Sequence, residues 1–411
     1  MTKEETDKKA DIQAEDRGES IALMEPLVLS EGAKRRGEVV DRTVELAQKA
    51  AGLRRALPES LLSSLATLVR AMNCYYSNLI EGHDTHPVDI ERALRKDYSA
   101  NPEKRDLQRE ASAHIAVQSW IDEGALQGRA LTSAGICEVH HRFCQNLPNE
   151  LLWVEEPGTS ERVFVAPGQW RTRDVEVGRH LAISPGAVPR FLERFEQAYR
   201  GLGRTDAILA AACAHHRMLW IHPFVDGNGR VARLMSHAVL LETLDTRAVW
   251  SVARGLARDV EVYKGHLAAC DLPRRNDLDG RGELSDEALA DFIAFFLDTC
   301  IDQVNFMESL IEPDKLRARI QLWAEEAIRL AVLPPKAGAV LDALLYRGLL
   351  PRGDVAGIVG TGDRQARRIV SALIAEGVVR SETTRTPLLL NFPARLAGRW
   401  MPGLFPEKTG A

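Results

Sequence analysis

A short turn between two long helical patterns is the feature that most constrains how this chain folds. Apolar residues recur at helical spacing over residues 204–220 and again over 230–245. The segment between them reads Ile221-His-Pro-Phe-Val-Asp-Gly-Asn-Gly-Arg-Val-Ala-Arg233. Because helical periodicity returns so soon, we expect a tight turn that delivers a new helix near Arg230.

This turn has the backbone of an anion-binding site. Gly227 and Gly229 permit backbone conformations that other residues resist, so successive N–H groups can converge on an anion. The N-terminus of the following helix adds its unpaired N–H donors and the positive end of the helix dipole. The sequence therefore predicts that phosphate binds here.

Four side chains of the turn have the chemistry that phosphoryl transfer needs. Arg230 and Arg233 lie three residues apart, roughly on one helix face, and provide planar charged groups for phosphate oxygens. Asp226 can hold Mg²⁺, which commonly binds one or two carboxylates together with substrate oxygens. His222 is a candidate general base. Each residue alone has an ordinary structural explanation, but their combination within twelve residues predicts phosphoryl chemistry.

Composition and periodicity predict a mainly helical protein of two or three domains. The chain has 411 residues, which is too long for one ordinary core. The first twenty residues lack the apolar stretch that a signal peptide needs, and no run of eighteen apolar residues occurs, so we expect a soluble, cytoplasmic protein with no membrane partner. The six cysteines lack CxxC spacing and are expected to be buried, reduced thiols. A net charge of −5 argues against general nucleic-acid affinity.

Further helices are predicted from the same periodicity. Their ranges are 60–80, 105–122, 131–146, 189–202, 285–310 and 313–332. Between Leu147 and Pro189 the pattern changes, and short alternating runs at 162–165 and 175–177 predict a long loop with a β-hairpin.

The turn resembles the signature of the Fic family, HPFx[D/E]GNGRxxR, and matches it at every defined position. His215 and Gly168-Gln-Trp-Arg171 are similar to residues that flank the signature in that family. Val175, Glu176 and Val177 fall where the family's β-hairpin flap lies. The chain departs from the pattern at Ser184-Pro-Gly, where relatives often have a double proline.

The resemblance covers residues 60–310 and implies a protein AMP-transferase. Fic enzymes typically transfer AMP from ATP to a Ser, Thr or Tyr hydroxyl of a protein. By this resemblance, His222 would take the proton from the target hydroxyl, and Asp226 would hold Mg²⁺ between the α- and β-phosphates. The residues that would bind the nucleotide are Phe224, Gly227, Asn228, Gly229, Arg230, Arg233 and Tyr263. The target, which can be the protein itself, would add an extended segment to the edge of the flap.

A second motif lies at the end of the first predicted helix. Ser77-Asn-Leu-Ile-Glu81-Gly82 resembles the inhibitory motif [S/T]xxxE[G/N] of the Fic family. It precedes the signature, as in the class II type, whose inhibitory helix is N-terminal. The resemblance implies that Glu81 pairs with Arg233 and occupies the place of the γ-phosphate, while Ser77, one turn earlier, helps to anchor the helix.

The C-terminal residues are predicted to form a separate module. Helices at 336–345, 353–359 and 363–375, followed by a hairpin around 383–387, are similar to a winged helix-turn-helix. The third of these helices carries Arg364, Arg367 and Arg368, which are candidate DNA contacts. Winged helices also serve to dock proteins or to form dimers, so both readings stay open.

The predicted organisation follows the chain from one end to the other. Its parts are a disordered tail (1–22), an N-terminal helical region (23–125) with the inhibitory helix at 60–82, the Fic catalytic core (126–312), a linker helix (313–333) and the winged helix-turn-helix domain (334–411). Three functions remain open: AMP transfer, removal of AMP from a modified protein with Glu81 positioning a water, and DNA-binding regulation with a nucleotide-sensing core. The resemblance also implies a homodimer.

Overall fold

A computed structural model describes residues 14–155 and 161–406, and the fold within them is mainly α-helical. This confirms the fold class expected from the sequence. The sixteen α-helices of the described residues are α1 (Arg36–Leu53), α2 (Glu59–Ile80), α3 (Pro87–Leu94), α4 (Pro102–Asp122), α5 (Ser133–Gln145), α6 (Val188–Ala198), α7 (Arg204–Ile221), α8 (Asn228–Leu244), α9 (Val252–Arg258), α10 (Val260–Cys270), α11 (Asp286–Ile311), α12 (Pro313–Arg329), α13 (Ala337–Arg347), α14 (Val355–Val359), α15 (Asp363–Ala375) and α16 (Ala397–Trp400).

The strands in this part of the chain are short and form three small antiparallel sheets. They are β1 (Trp153–Glu155), β2 (Arg162–Phe164), β3 (Glu176–Val177), β4 (His180–Leu181), β5 (Leu349–Leu350), β6 (Val379–Arg380) and β7 (Leu388–Leu390). β1 pairs with β2, β3 pairs with β4, and the third sheet has the order β5-β7-β6. The runs at 162–165 and 175–177 therefore belong to two hairpins rather than one, because each run pairs with its own neighbour in the chain.

The chain divides into two compact units, each assembled from three separate segments. The first comprises Met1–Val44, Ala116–Thr243 and Arg258–Asp298, and the second comprises Glu45–Ile115, Leu244–Ala257 and Thr299–Ala411. The domain limits predicted at 125, 312 and 333 do not coincide with the limits of these units. The predicted domain organisation along the chain stays a prediction.

The first unit is organised around α7. Its residues from Ile208 onward are buried almost without interruption, which is typical of a helix that runs through a core. Aromatic side chains of α6 and α11 contribute to the same core, including Phe191, Phe195, Phe292 and Phe296. Because α7 is enclosed on all sides, its C-terminal end has a well-defined position, and that end carries His222.

The N-terminal residues correct one expectation from the sequence. The predicted disordered tail covers residues 1–22, of which 1–13 lie outside the described residues. Residues 14–22 instead make hydrogen bonds to distant residues of the same unit: the Gly186 N–H donates to the Glu15 carbonyl at 2.8 Å, and Asp16 accepts two bonds from Arg190. This segment buries little apolar surface, and polar pairing with distant residues holds it instead.

The C-terminal elements of the second unit occur in the predicted order. Helices α13, α14 and α15 are followed by β6 and β7, and α15 begins and ends where the sequence predicts. The structure adds β5, which pairs with β7 through Leu349 and Leu350. The assignment of these residues to the winged-helix class stays a prediction.

The cysteines and the absence of long apolar helices were both expected from the sequence. All six cysteines are free and five of them are buried, with Cys137 half-buried, as the absence of CxxC spacing suggested. No helix in residues 14–155 or 161–406 has the length and apolarity needed to cross a membrane.

Candidate active site

The histidine of the turn stands at the end of α7 in a left-handed conformation. His222 has φ 50° and ψ 62°, values that are uncommon for a residue other than glycine. Its N–H donates to the Met218 carbonyl at 3.0 Å, and its Nδ1 lies 3.2 Å from the Leu219 carbonyl oxygen. Since a carbonyl only accepts, Nδ1 carries the proton, and the lone pair of the neutral ring is on Nε2. That tautomer is the one a general base requires.

The shape of the turn is held by a pair of hydrogen bonds between Phe224 and Asn228. The Phe224 N–H donates to Asn228 Oδ1 at 3.0 Å, and Asn228 Nδ2 donates to the Phe224 carbonyl at 2.9 Å. Both residues are buried, so these bonds satisfy polar groups that have little access to water. Asn228 therefore closes the turn on itself and is the first residue of α8.

The remaining residues of the turn divide between the surface and the interior. Asp226 is exposed, and Gly227 has φ 82°, the conformation for which the sequence requires glycine. Arg230 and Arg233 are both buried, which is rare for arginine. The Arg230 guanidinium lies 5.3 Å from the centre of the Phe143 ring. The two cations thus extend from the first turns of α8, where the helix dipole is also positive.

His140, which the sequence analysis did not single out, supports the turn from α5. Its ring stacks on Phe224 with centroids 3.7 Å apart. Its Nδ1 accepts from the Gly168 N–H at 2.9 Å, and its Nε2 lies 3.2 Å from the Asp226 carbonyl, to which it donates. Burial lowers the pKa of His140 to about 4, so the ring is neutral near pH 7, as both hydrogen bonds require.

Arg171 joins the same turn to the flap, which is the hairpin of β3 and β4. Its N–H donates to the Pro223 carbonyl and its Nε to the His222 carbonyl, at 2.9 and 2.8 Å. The other nitrogens donate to the carbonyls of Arg173, at 2.8 Å, and Ile183, which precede and follow the hairpin. Burial lowers the pKa of this guanidinium to about 10, but it stays protonated near pH 7.

Behind the turn, a buried hydrogen-bond network ties α7 to α8 and α10. His215 Nδ1 lies 2.8 Å from the Ser236 hydroxyl, and its Nε2 lies 2.6 Å from the Tyr263 hydroxyl. Burial first, and then the charge of Arg233, lower the pKa of His215 to about 3. Tyr263 is only 2% exposed, so in this structure its side chain is part of the core. Its contact with nucleotide stays a prediction.

The flap is short and exposed. Glu176 pairs with Leu181 and Val177 with His180, and the side chains of Val177 and Leu181 are 46% and 63% exposed. Val175 precedes this pairing and accepts a hydrogen bond from the Ala182 N–H at 3.2 Å. His180 Nε2 donates to the Trp220 carbonyl at 2.8 Å, which joins the flap to the end of α7.

The other predicted site residues belong to the second unit. Ser77 is buried in α2, Glu81 is the exposed C-cap of that helix, and Gly82 follows with φ 88°. Arg364, Arg367 and Arg368 are exposed on α15. The inhibitory role of the first group and the DNA contacts of the second stay predictions.

Sequence comparison identifies the part of the chain that contains the turn. Residues 130–240 match the model of the Fic/DOC family. The Protein adenylyltransferase Fic of Drosophila erecta is 25% identical over 193 residues, which are 46% of this chain and 34% of that protein. That of Drosophila ananassae is 24% identical over 196 residues, or 47% of this chain and 35% of that protein. The match thus spans about a third of these curated relatives.

Structural comparison agrees on the fold. A Fic family protein from Desulfovibrio desulfuricans superposes with a TM-score of 0.51 at 16% identity, and the match covers 86% of this chain and 96% of that chain. At this identity the similarity concerns the fold alone. Together with the complete signature at 222–233 and the helices that carry it, the family match shows that residues 130–240 form a Fic domain.

Proposed function

We propose that this protein transfers AMP from ATP to a hydroxyl side chain of a protein. The observation that carries the proposal is the turn itself, in which a histidine with its proton on Nδ1 adjoins a helix N-terminus and two buried arginines. The relatives named as protein adenylyltransferases support the same reaction. In this reaction the hydroxyl oxygen bonds to the α-phosphorus of ATP and pyrophosphate leaves.

His222 acts as the general base. Its Nε2 takes the proton of the attacking Ser, Thr or Tyr hydroxyl, while the bond from Nδ1 to the Leu219 carbonyl holds the ring and its tautomer. The imidazolium that forms keeps this hydrogen bond. A positioned base of this kind contributes about 10²–10⁴ in rate.

The rest of the turn holds the leaving group and stabilises its charge. Backbone N–H groups at Gly227–Gly229 and the start of α8 face the phosphates, and Arg230 and Arg233 neutralise the triphosphate. The exposed Asp226 carboxylate would hold Mg²⁺, which would supply positive charge against the phosphates of ATP. The described residues contain no group of three or more His, Cys, Asp or Glu suited to a metal ion, but one carboxylate fits an ion that binds together with ATP.

The flap is the proposed docking edge for the target. An extended target segment would pair with its main chain, so that a hydroxyl reaches His222 with little side-chain recognition. The contacts of Arg171 with the His222 carbonyl and with both ends of the hairpin support this arrangement, because they tie the docking edge to the base.

The reaction is tested with α-labelled ATP and three proteins. Wild type and Glu81→Gly are expected to incorporate label, whereas His222→Ala should lose about 10²–10⁴ in rate and still bind ATP in calorimetry. His266→Ala, a histidine of α10 outside the turn, is the matched control and should retain activity. If instead a pre-modified protein loses its label in a His222-dependent manner, removal of AMP is the principal reaction.

We propose further that Glu81 inhibits AMP transfer by competing with the γ-phosphate for Arg233. Replacing Glu81 by glycine should raise label incorporation at least about tenfold, the effect of removing roughly 1.4 kcal/mol of competition. Glu103→Gly, which removes an exposed glutamate from the first turn of α4, is the control. Equal activity of wild type and Glu81→Gly would refute the inhibitory role.

A second candidate function is DNA binding through α15. The observation that favours it is the division of this helix into a buried apolar face, with Ile369 and Leu373, and an exposed face with Arg364, Arg367 and Arg368. Replacing the three arginines by alanine should weaken the retardation of DNA fragments. It should also reduce the slope of log affinity against log salt concentration by about one for each phosphate contact that is lost. Arg317→Ala on α12 is the control. Binding that is independent of salt would exclude this function.

A further inference from the structure

We infer that residues 14–19, here called the N-terminal strap, position the flap for its target, with Arg17 and Glu19 as the positioning residues. The inference rests on the proposed function of the flap. Its starting point is that both ends of this hairpin are held by two arginines, Arg171 from within the Fic domain and Arg17 from the strap.

The inner contact is made by Arg171. It donates to the carbonyl of Arg173, before β3, and to that of Ile183, after β4. A third bond reaches the His222 carbonyl at 2.8 Å. One buried side chain therefore sets the separation of the two ends of the hairpin and their distance from the proposed base.

The outer contact is made by Arg17 and Glu19, at the next residue of the chain on each side of the hairpin, Asp174 and Ser184. Arg17 Nη1 and Nη2 donate to the two carboxylate oxygens of Asp174 at 2.8 and 2.9 Å. The Arg17 N–H donates to the Ser184 hydroxyl at 3.0 Å. Glu19 then accepts from the Ser184 N–H at 2.8 Å and from its hydroxyl at 2.6 Å. The strap thus bridges Asp174 and Ser184, the residues adjacent to those that Arg171 bridges.

The strap is itself fixed to the Fic domain. Asp16 accepts two bonds from Arg190 of α6, at 2.8 and 2.9 Å, and these bonds lower the pKa of Asp16 to about 2. The chain also passes so close to Gly186 that a Cβ there would lie 2.5 Å from the Ala14 carbonyl oxygen and from the Asp16 nitrogen. Only glycine permits this approach, so the contact surface is closely fitted.

These contacts matter because the hairpin has little stability of its own. Each strand has two residues, and a two-stranded hairpin is marginal in water without support. A docking edge that is already ordered loses less conformational entropy when a target segment pairs with it. The strap therefore acts on binding of the target segment, through the flap, and not on the phosphates.

A charge exchange tests the inference. Arg17→Asp and Asp174→Arg each place two like charges next to each other. The double variant restores the ion pair with the two residues exchanged. Amide hydrogen exchange at residues 175–182 should be about fivefold faster in each single variant, as expected for loss of an exposed bidentate pair, and should return toward wild type in the double variant. Arg42→Asp, which breaks the exposed Arg42–Asp298 pair, should leave the flap unchanged.

The same proteins are then assayed with α-labelled ATP in the Glu81→Gly background. Label incorporation into the protein itself should fall about fivefold in the single variants and recover in the double variant, while ATP binding by calorimetry stays constant. Flap exchange that is unchanged in both single variants, or that the double variant fails to restore, would overturn the inference. If no protein incorporates label but the exchange pattern is as expected, the proposed AMP transfer fails and the strap's control of the flap stands.

Discussion

At the scale of single residues, the turn combines a histidine in a strained backbone conformation with neighbours whose hydrogen bonds hold it in place. A left-handed conformation costs a residue with a Cβ about 1–2 kcal/mol, and His222 has this conformation at the end of α7. The cost is offset by bonds to Met218 and Leu219 and by the Arg171 side chain on its carbonyl. The strain places the ring where the chain leaves one helix and enters the next.

This strain leads to a prediction about stability. His222→Gly and His222→Ala both remove the imidazole and its Nδ1 bond, but only alanine keeps the Cβ that disfavours φ 50°. We expect the glycine variant to have a free energy of unfolding about 1 kcal/mol higher than that of the alanine variant, although both lose AMP transfer. Urea unfolding of the two proteins measures the difference. Equal stabilities would mean that the turn relaxes out of the left-handed region when the ring is removed.

At the scale of secondary-structure elements, one buried arginine connects the turn and the flap. Arg171 satisfies carbonyls of Arg173, Ile183 and His222, and its planar group reaches all three at once. Lysine has one charged nitrogen on a flexible stem and cannot reproduce this geometry. Arg171 therefore supports both the flap and His222.

We expect Arg171→Lys to lower the free energy of unfolding by about 1–3 kcal/mol, because the buried hydrogen bond to the Ile183 carbonyl and the part-buried bonds to Arg173 and His222 cannot all be replaced by one ammonium group. AMP transfer should fall more than ATP binding. The flap loses its contact with Arg171, whereas the backbone at Gly227–Gly229, where we propose that phosphate binds, is left intact. Urea unfolding, calorimetry with ATP and label incorporation separate these effects. Arg162→Lys, at an exposed position in β2, is the control and should change none of the three.

At the scale of the whole molecule, the first unit depends on three buried histidines that stay neutral. Burial is the first cause in each case, and it lowers the pKa of His140 and His216 to about 4 and that of His215 to about 3. In the unfolded chain each would titrate near its ordinary value of 6.5. The unfolded state therefore binds more protons than the folded state between those values, and stability must rise with pH there.

We expect the free energy of unfolding to fall as the pH is lowered from about 6.5 to 4.5, by up to about 1.4 kcal/mol per pH unit for each of the three histidines. Carboxylates with lowered pKa values, such as Asp16 and Glu38 at about 2, lose their contribution only at lower pH. Urea unfolding at several pH values measures the slope of the free energy of unfolding against pH. His140→Gln should reduce this slope by the contribution of one histidine. A slope that is unchanged in that variant would show that His140 is accessible to protons in the folded state.

Much of the secondary structure could be predicted because it depends on local spacing. Helices α2, α7, α8 and α11 lie within two residues of their predicted ranges. Helix α1 lies in the region 23–125 that is predicted to be helical, but no range is predicted for it, although Val39, Leu46, Ala50 and Leu53 are buried at helical spacing. Residues 14–22 differ from the predicted disordered tail for a different reason: their polar composition suits disorder, and only hydrogen bonds to distant residues give them a defined place.

The sequence alone determined the turn from His222 to Arg233, because the glycines, the Asn228 bonds and the helix that follows act within a dozen residues. The tertiary structure alone decided what surrounds it. His140 meets Asp226 across 86 positions, Arg171 meets His222 across 51, and Arg17 meets Asp174 across 157. Such pairs form only when the core has brought distant segments together, and nothing in the local pattern of either partner identifies the other.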